Sequence, residues 1–143
     1  GQAYRLASSI ALHGDLRHLL FNSFSLVNIG RAAEPAFGTP RFIAIYLLGG
    51  LCGNLMGLEY GSARPSVGAS GAIFALVGAL LVFARRAHEL GARSLDNLLR
   101  PLMITVLIGL WPRPGVDQWA HLGGLLGGVV AAAVLAPWGW GSR

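Results

Sequence analysis

Four side chains in this sequence could between them carry out acyl transfer: Ser70, His121, His18 and Asn22. A serine hydroxyl is a weak nucleophile until a base takes its proton, and neutral imidazole is the usual base near neutral pH. The reaction also needs donors aimed at the developing oxyanion. Asn22 offers an amide NH2, His18 a ring N–H, and Ser70 a backbone N–H where a helix should begin. What is missing is an acid behind the histidine. Asp117 lies one turn before His121, but at the edge of an apolar segment it reads better as a helix cap. That leaves a Ser-His dyad with the imidazole held by packing. The competing reading of Ser70 is structural. In SVGASGAIFALVG (66–78) it is one more small residue of the kind that lets membrane helices approach closely.

The elements that must position these groups are apolar. Of 143 residues, 54% are hydrophobic and 12% charged, the latter roughly half the share of an average soluble domain. The segments 42–58, 67–84 and 119–136 carry almost no ionisable side chain apart from His121, and each approaches the ~20 residues that cross a hydrocarbon core. Because several follow one another and none sits at the extreme N-terminus behind a basic start, these segments read as transmembrane candidates and not as a cleaved signal peptide. We therefore expect one all-α domain over 1–143, a polytopic membrane bundle of five transmembrane helices at about 16–32, 40–59, 68–87, 97–111 and 117–136. Pro35, Gly38 and Pro40 punctuate the first gap, Gly61 and Pro65 the second, and Pro112, Pro114 and Gly115 the fourth.

A net charge of +5 could suggest nucleic acid. That function needs basic residues clustered beside aromatics on a wet face, whereas the eleven arginines here fall between apolar segments. Five passes place seven of them on one side and four on the other, so the positive-inside bias puts the N-terminus outside and the C-terminus in the cytoplasm. With an outside N-terminus on a chain beginning at Gly1, we expect something upstream, most simply a first helix. The single Cys52 permits no internal disulfide.

Some polar residues do not suit lipid. His18, Asn22 and Ser25 follow one another at i, i+4 and i+7 on one helical face, which must look into a bundle interior or a wet cavity, because an unpartnered intramembrane His or Asn is costly. By the topology above, His18, Ser70 and His121 share one shallow depth on the non-cytoplasmic side. Gly123, Gly124, Gly127 and Gly128 form a bare ridge beside His121, with Gly124 and Gly128 in GxxxG register, and Gly68 and Gly71 flank Ser70. Such small residues bring helix backbones close, as a short serine needs if it is to reach an imidazole. Gly49, Gly53 and Gly57 make a second stripe that reads as packing alone. A zinc site from His13, His18 and His121 is disfavoured: His13 and His18 lie about 140° apart around a helix, and no HExxH-type pair or carboxylate accompanies them. No metal or other cofactor is expected.

HGDLRHLLFN (13–22), GASG (68–71) followed by AIFALVGA, and AHLGGLLGG (120–128) resemble the signatures of the rhomboid intramembrane serine proteases, in that family's order and over nearly the whole chain. The resemblance implies a protease of transmembrane or membrane-proximal segments of other proteins, working in the bilayer with its active site open to the non-cytoplasmic side. Ser70 would be the nucleophile, His121 the base, and His18, Asn22 and the Ser70 amide the oxyanion hole. It makes Tyr4-Arg5 the counterpart of a Trp-Arg pair in the first outer loop, Glu34 a structural acid, and Phe74 the residue against the catalytic histidine. His13 would support the outer loop. The family core has six helices, so the first helix and most of the first outer loop would precede Gly1. Substrate entry would require movement of the short helix at 97–111. The alternative function is a catalytically silent relative that binds membrane-protein clients.

Overall fold

The computed structural model describes residues 4–61, 67–89, 96–112 and 114–135. Arg64, Arg93, Arg113 and Arg143 from the charge count, with Pro65 and Ala136, lie outside the described residues. Those described form helices and turns with no strand. The helices are α1 (Tyr4–Ser8), α2 (Leu16–Phe37), α3 (Thr39–Tyr60), α4 (Ser70–Glu89), α5 (Asp96–Leu110) and α6 (Gln118–Leu135).

Local chemistry sets most of the boundaries. The Asp15 carboxylate accepts the His18 N–H at 2.9 Å and caps α2. Gly38, at φ 75°, ends α2 and opens α3, with Pro40 in the first turn of α3. Two expectations need correction. The short α1 had no counterpart among the expected helices. And α2 does not stop at residue 32 but runs through Pro35 to Phe37. Proline in the last turn costs one backbone hydrogen bond; the buried Phe37, edge-on to Phe83 at 6.2 Å between ring centroids, holds that turn in helix.

Among the described residues, three helices are long and apolar enough to cross a membrane unaided: Thr39–Tyr60, Ser70–Ala87 and Gln118–Leu135. The other two expected spans fall short for different reasons. With 22 residues α2 is long enough, about 33 Å, but His18, Asn22, Asn28, Arg31 and Glu34 lower its hydropathy. At 15 residues, Asp96–Leu110, α5 is about 22 Å long, short of a ~30 Å hydrocarbon core.

The core is built around α4, whose residues from Gly71 to Leu80 are all buried, the mark of a helix enclosed on every side. On two flanks α4 meets α6 and α3, and these three helices pack on one another far more closely than any packs on α2 or α5. Bare backbone makes this possible. A Cβ on Gly128 would run into the Ala75 carbonyl, one on Gly124 into the Gly71 carbonyl, and one on Gly49 into the Ala75 side chain. On Gly53 it would stand 2.6 Å from the Ala120 carbonyl oxygen. Without a hydrophobic drive between helices in lipid, such close van der Waals contact is the main source of association.

Candidate active site

Ser70 is the first residue of α4 and His121 lies in the first turn of α6. The close α4–α6 packing brings the Ser70 hydroxyl to 2.8 Å from His121 Nε2. His121 is 8% exposed. Its Nδ1 lies 2.7 Å from the carbonyl oxygen of Gly109 in α5. A carbonyl can only accept, so Nδ1 carries the proton and the Nε2 lone pair is left to receive the serine's. Phe74 stacks flat on the imidazole, 4.5 Å between centroids and 7° between planes. The expectation that packing alone orients the histidine is therefore incomplete: the Gly109 carbonyl fixes its tautomer. Asp117 plays no part behind it. Its Oδ1 accepts the Ala120 N–H at 3.0 Å, capping α6.

The face expected at His18, Asn22 and Ser25 does turn inward. Asn22 is 6% exposed, His18 and Ser25 are half-buried, and the same face continues through the buried Ile29, Ala33 and Phe37. Gly68 ties that face to the serine. It adopts φ 130°, where side chains are rarely tolerated, and a Cβ on it would stand 2.7 Å from His18 Cε1, 2.8 Å from His18 Nε2 and 3.4 Å from Asn22 Nδ2. His18 and Asn22 thus converge within two residues of Ser70, whose own N–H belongs to the first turn of α4, where no intrahelical acceptor exists. The Asn22 amide nitrogen is buried with no hydrogen-bond partner among the described residues. An unpaired buried donor is costly, and this one faces Gly68, two residues before Ser70.

The remaining expected residues spread outward from this centre. His13 places Nδ1 3.2 Å from the Ala11 carbonyl and its ring edge-on to His18, 5.2 Å away. Gly71 and Gly124 meet where α4 touches α6, and Gly128 one turn further on meets Ala75. Arg5 is exposed on α1, its carbonyl accepting the Ser9 N–H at 3.0 Å. Glu34 is at the far end of α2, where its carboxylate accepts the Thr39 hydroxyl at 2.9 Å. Among the described residues no three His, Cys, Asp or Glu side chains converge as metal ligands would. Outside this region, the Asp15 carboxyl is held below its ordinary 3.8, chiefly by the hydrogen bond from the His18 N–H.

Two partners escaped the sequence. The Gly109 carbonyl is backbone and has no signature. The second is Asn54, a polar companion to the Gly49, Gly53 and Gly57 packing stripe: buried beside Gly53, it donates to the Leu6 carbonyl at 2.6 Å and to the Ser9 hydroxyl at 2.8 Å. Its signal was available, as a polar amide inside an apolar segment.

Residues 1–138 match the family described as "Rhomboid domain". The chain is 38% identical over 136 residues to the protein named "Rhomboid protease GluP" of Bacillus subtilis, covering 94% of this chain and 26% of that one. It is 39% identical over 140 residues to "RHOMBOID-like protein 5" of Arabidopsis thaliana, covering 94% and 45%. "RHOMBOID-like protein 2" of the same plant is 38% identical over 150 residues, covering 97% and 45%. The chain thus spans between a quarter and a half of these relatives' lengths. With its apolar helices it is an integral membrane protein, and its match over nearly the whole length makes it a member of the rhomboid family.

Proposed function

We propose that this chain is the catalytic part of an intramembrane serine endopeptidase that cleaves transmembrane or membrane-proximal segments of other membrane proteins. The observation that carries the reading is the 2.8 Å contact between the Ser70 hydroxyl and an imidazole whose other nitrogen is already committed to Gly109. Ser70 Oγ attacks the scissile carbonyl while His121 Nε2 takes its proton. The oxyanion is met by the Asn22 amide, the His18 ring N–H and the Ser70 backbone N–H. His121 then returns the proton to the leaving amine. Water, activated by the same imidazole, hydrolyses the acyl-enzyme and frees Ser70.

In this reading 1–143 is one domain and five helices span the bilayer. Leu19, Leu20, Phe21, Phe24 and Val27 of α2 face lipid, and α5 crosses only part of the depth beside a locally thinned bilayer. The dyad opens to the non-cytoplasmic side. A substrate enters laterally between α2 and α5, helices that pack little on each other among the described residues.

The test is a serine-reactive fluorophosphonate probe and a model transmembrane substrate, applied to the full-length protein in lipid. Wild type should label and cleave, whereas Ser70→Ala should do neither and His121→Ala should lose about three to four orders of magnitude in rate. Equal labelling of wild type and Ser70→Ala, with an intact substrate, would overturn the protease reading and leave the client-binding alternative.

A further inference from the structure

Asn54 has no place in the chemistry above, yet a buried amide in an apolar helix is expensive unless its hydrogen bonds are made. It is 9% exposed. Both its N–H groups are used, one on the Leu6 carbonyl and one on the Ser9 hydroxyl, and the Ser9 hydroxyl in turn donates to the Leu6 carbonyl at 3.2 Å. A carbonyl acceptor fixes which end of the amide faces α1, so the three-group network has a single proton arrangement. Four residues earlier on the same face of α3, Gly50 leaves room for the buried Ile10: a Cβ there would stand 2.7 Å from Ile10 Cδ1 and 3.0 Å from the Ala72 side chain. Amide and bare glycine together seat Leu6 to Ile10 on α3.

The seated segment reaches the nucleophile. The Ser9 carbonyl accepts the Gly68 N–H at 2.9 Å, and Gly68 is the residue pressed against His18 and Asn22, two positions before Ser70. We propose that Asn54 is a positioning residue for the candidate active site, setting the Gly68–Ser70 turn through Ser9 and thereby the distance from the nucleophile to the oxyanion donors. This rests on the protease reading for its consequence, but the physical link from Asn54 to Gly68 stands or falls separately.

The variants are Asn54→Leu, which keeps bulk and removes both donors, Ser9→Ala, and the double substitution, all in the full-length protein in lipid. Two quantities are measured: amide hydrogen exchange across Val67–Ser70, and the fluorophosphonate labelling rate per folded molecule. Exchange at Gly68 should accelerate in Asn54→Leu and in Ser9→Ala. Labelling should slow about tenfold in Asn54→Leu, since sub-ångström misplacement of reacting groups is felt strongly in rate. Ser9→Ala should slow it by a smaller factor. The double variant should label no more slowly than Asn54→Leu alone, as members of one network do. Cleavage should show a lower kcat with KM unchanged, because α3 lies away from the route of entry.

A purely structural Asn54 would lower thermal stability and leave exchange at Gly68 and labelling per folded molecule at wild-type values; that result overturns the proposal, as does a double variant whose rate effects multiply. If Asn54→Leu does not fold, Ser9→Ala decides by the same two readouts. If wild type fails to label while exchange at Gly68 still rises in the variants, the link to Gly68 holds and the protease reading falls.

Discussion

The hydrogen-bonded pair Ser70 and His121 stands at the border between two kinds of packing. On one side, α3, α4 and α6 meet backbone to backbone, through glycines whose Cβ positions are already filled by carbonyl groups of the facing helix. On the other, α2 and α5 touch this core sparsely and meet the site through a few polar or aromatic groups: His18 and Asn22 from α2, the Gly109 carbonyl from α5. Ser70 and His121, the proposed nucleophile and base, belong to the closely packed part. The two side chains proposed as oxyanion donors, His18 and Asn22, and the Gly109 carbonyl that fixes the His121 tautomer belong to the looser part. In the proposed protease, reacting atoms must keep their distance within a few tenths of an ångström, while a chain substrate would need a wall that can open. The two packing regimes separate these demands.

The sharpest way to break this contrast is to add a side chain where none fits. Gly128→Val should largely abolish folded protein, because its Cβ meets the Ala75 backbone, which cannot turn aside; the cost lies at or above the upper end of the ~1–3 kcal/mol of ordinary overpacking, read as lost recovery and thermal midpoint in detergent. In the looser region the outcome should invert. Asn22→Ala should cost about 100-fold in cleavage rate yet leave the thermal midpoint unchanged or raise it, since it removes a buried donor that has no partner. A large fall in stability would place Asn22 in the structural core instead. Gly109→Ala tests the border. Its methyl would meet the Phe74 ring that stacks on His121, so cleavage should drop by about an order of magnitude for a shift of the base of under an ångström, with only a small change in midpoint.

The smallest effect concerns pH. The Asp15 carboxyl is depressed by its bond from the His18 N–H. A group with a lowered folded-state pKa adds stability above its ordinary 3.8 and loses it as pH falls through the depressed value. Wild type should hold a slight advantage over Asp15→Asn at neutral pH that vanishes in strong acid; a constant difference across the titration would remove the charge from the account.

The sequence by itself determined the residue types and their periodicity: an apolar all-helical chain, small residues beside Ser70 and His121, and one polar face at His18, Asn22 and Ser25. These follow from local rules, because helical spacing places i, i+4 and i+7 on one side and bare glycines mark close approach wherever they recur. Tertiary structure decided what spacing cannot encode. The carbonyl of Gly109 holds the base, and every residue carries a carbonyl, so nothing in the letter sequence distinguishes this one. Phe37 keeps α2 helical past Pro35 because of a partner almost fifty residues away. Asn54 was visible as an anomaly, but its meaning depended on Leu6 and Ser9 being folded against it. Serine and histidine were legible as chemistry; whether they are 2.8 Å apart was set by the fit of α4 against α6.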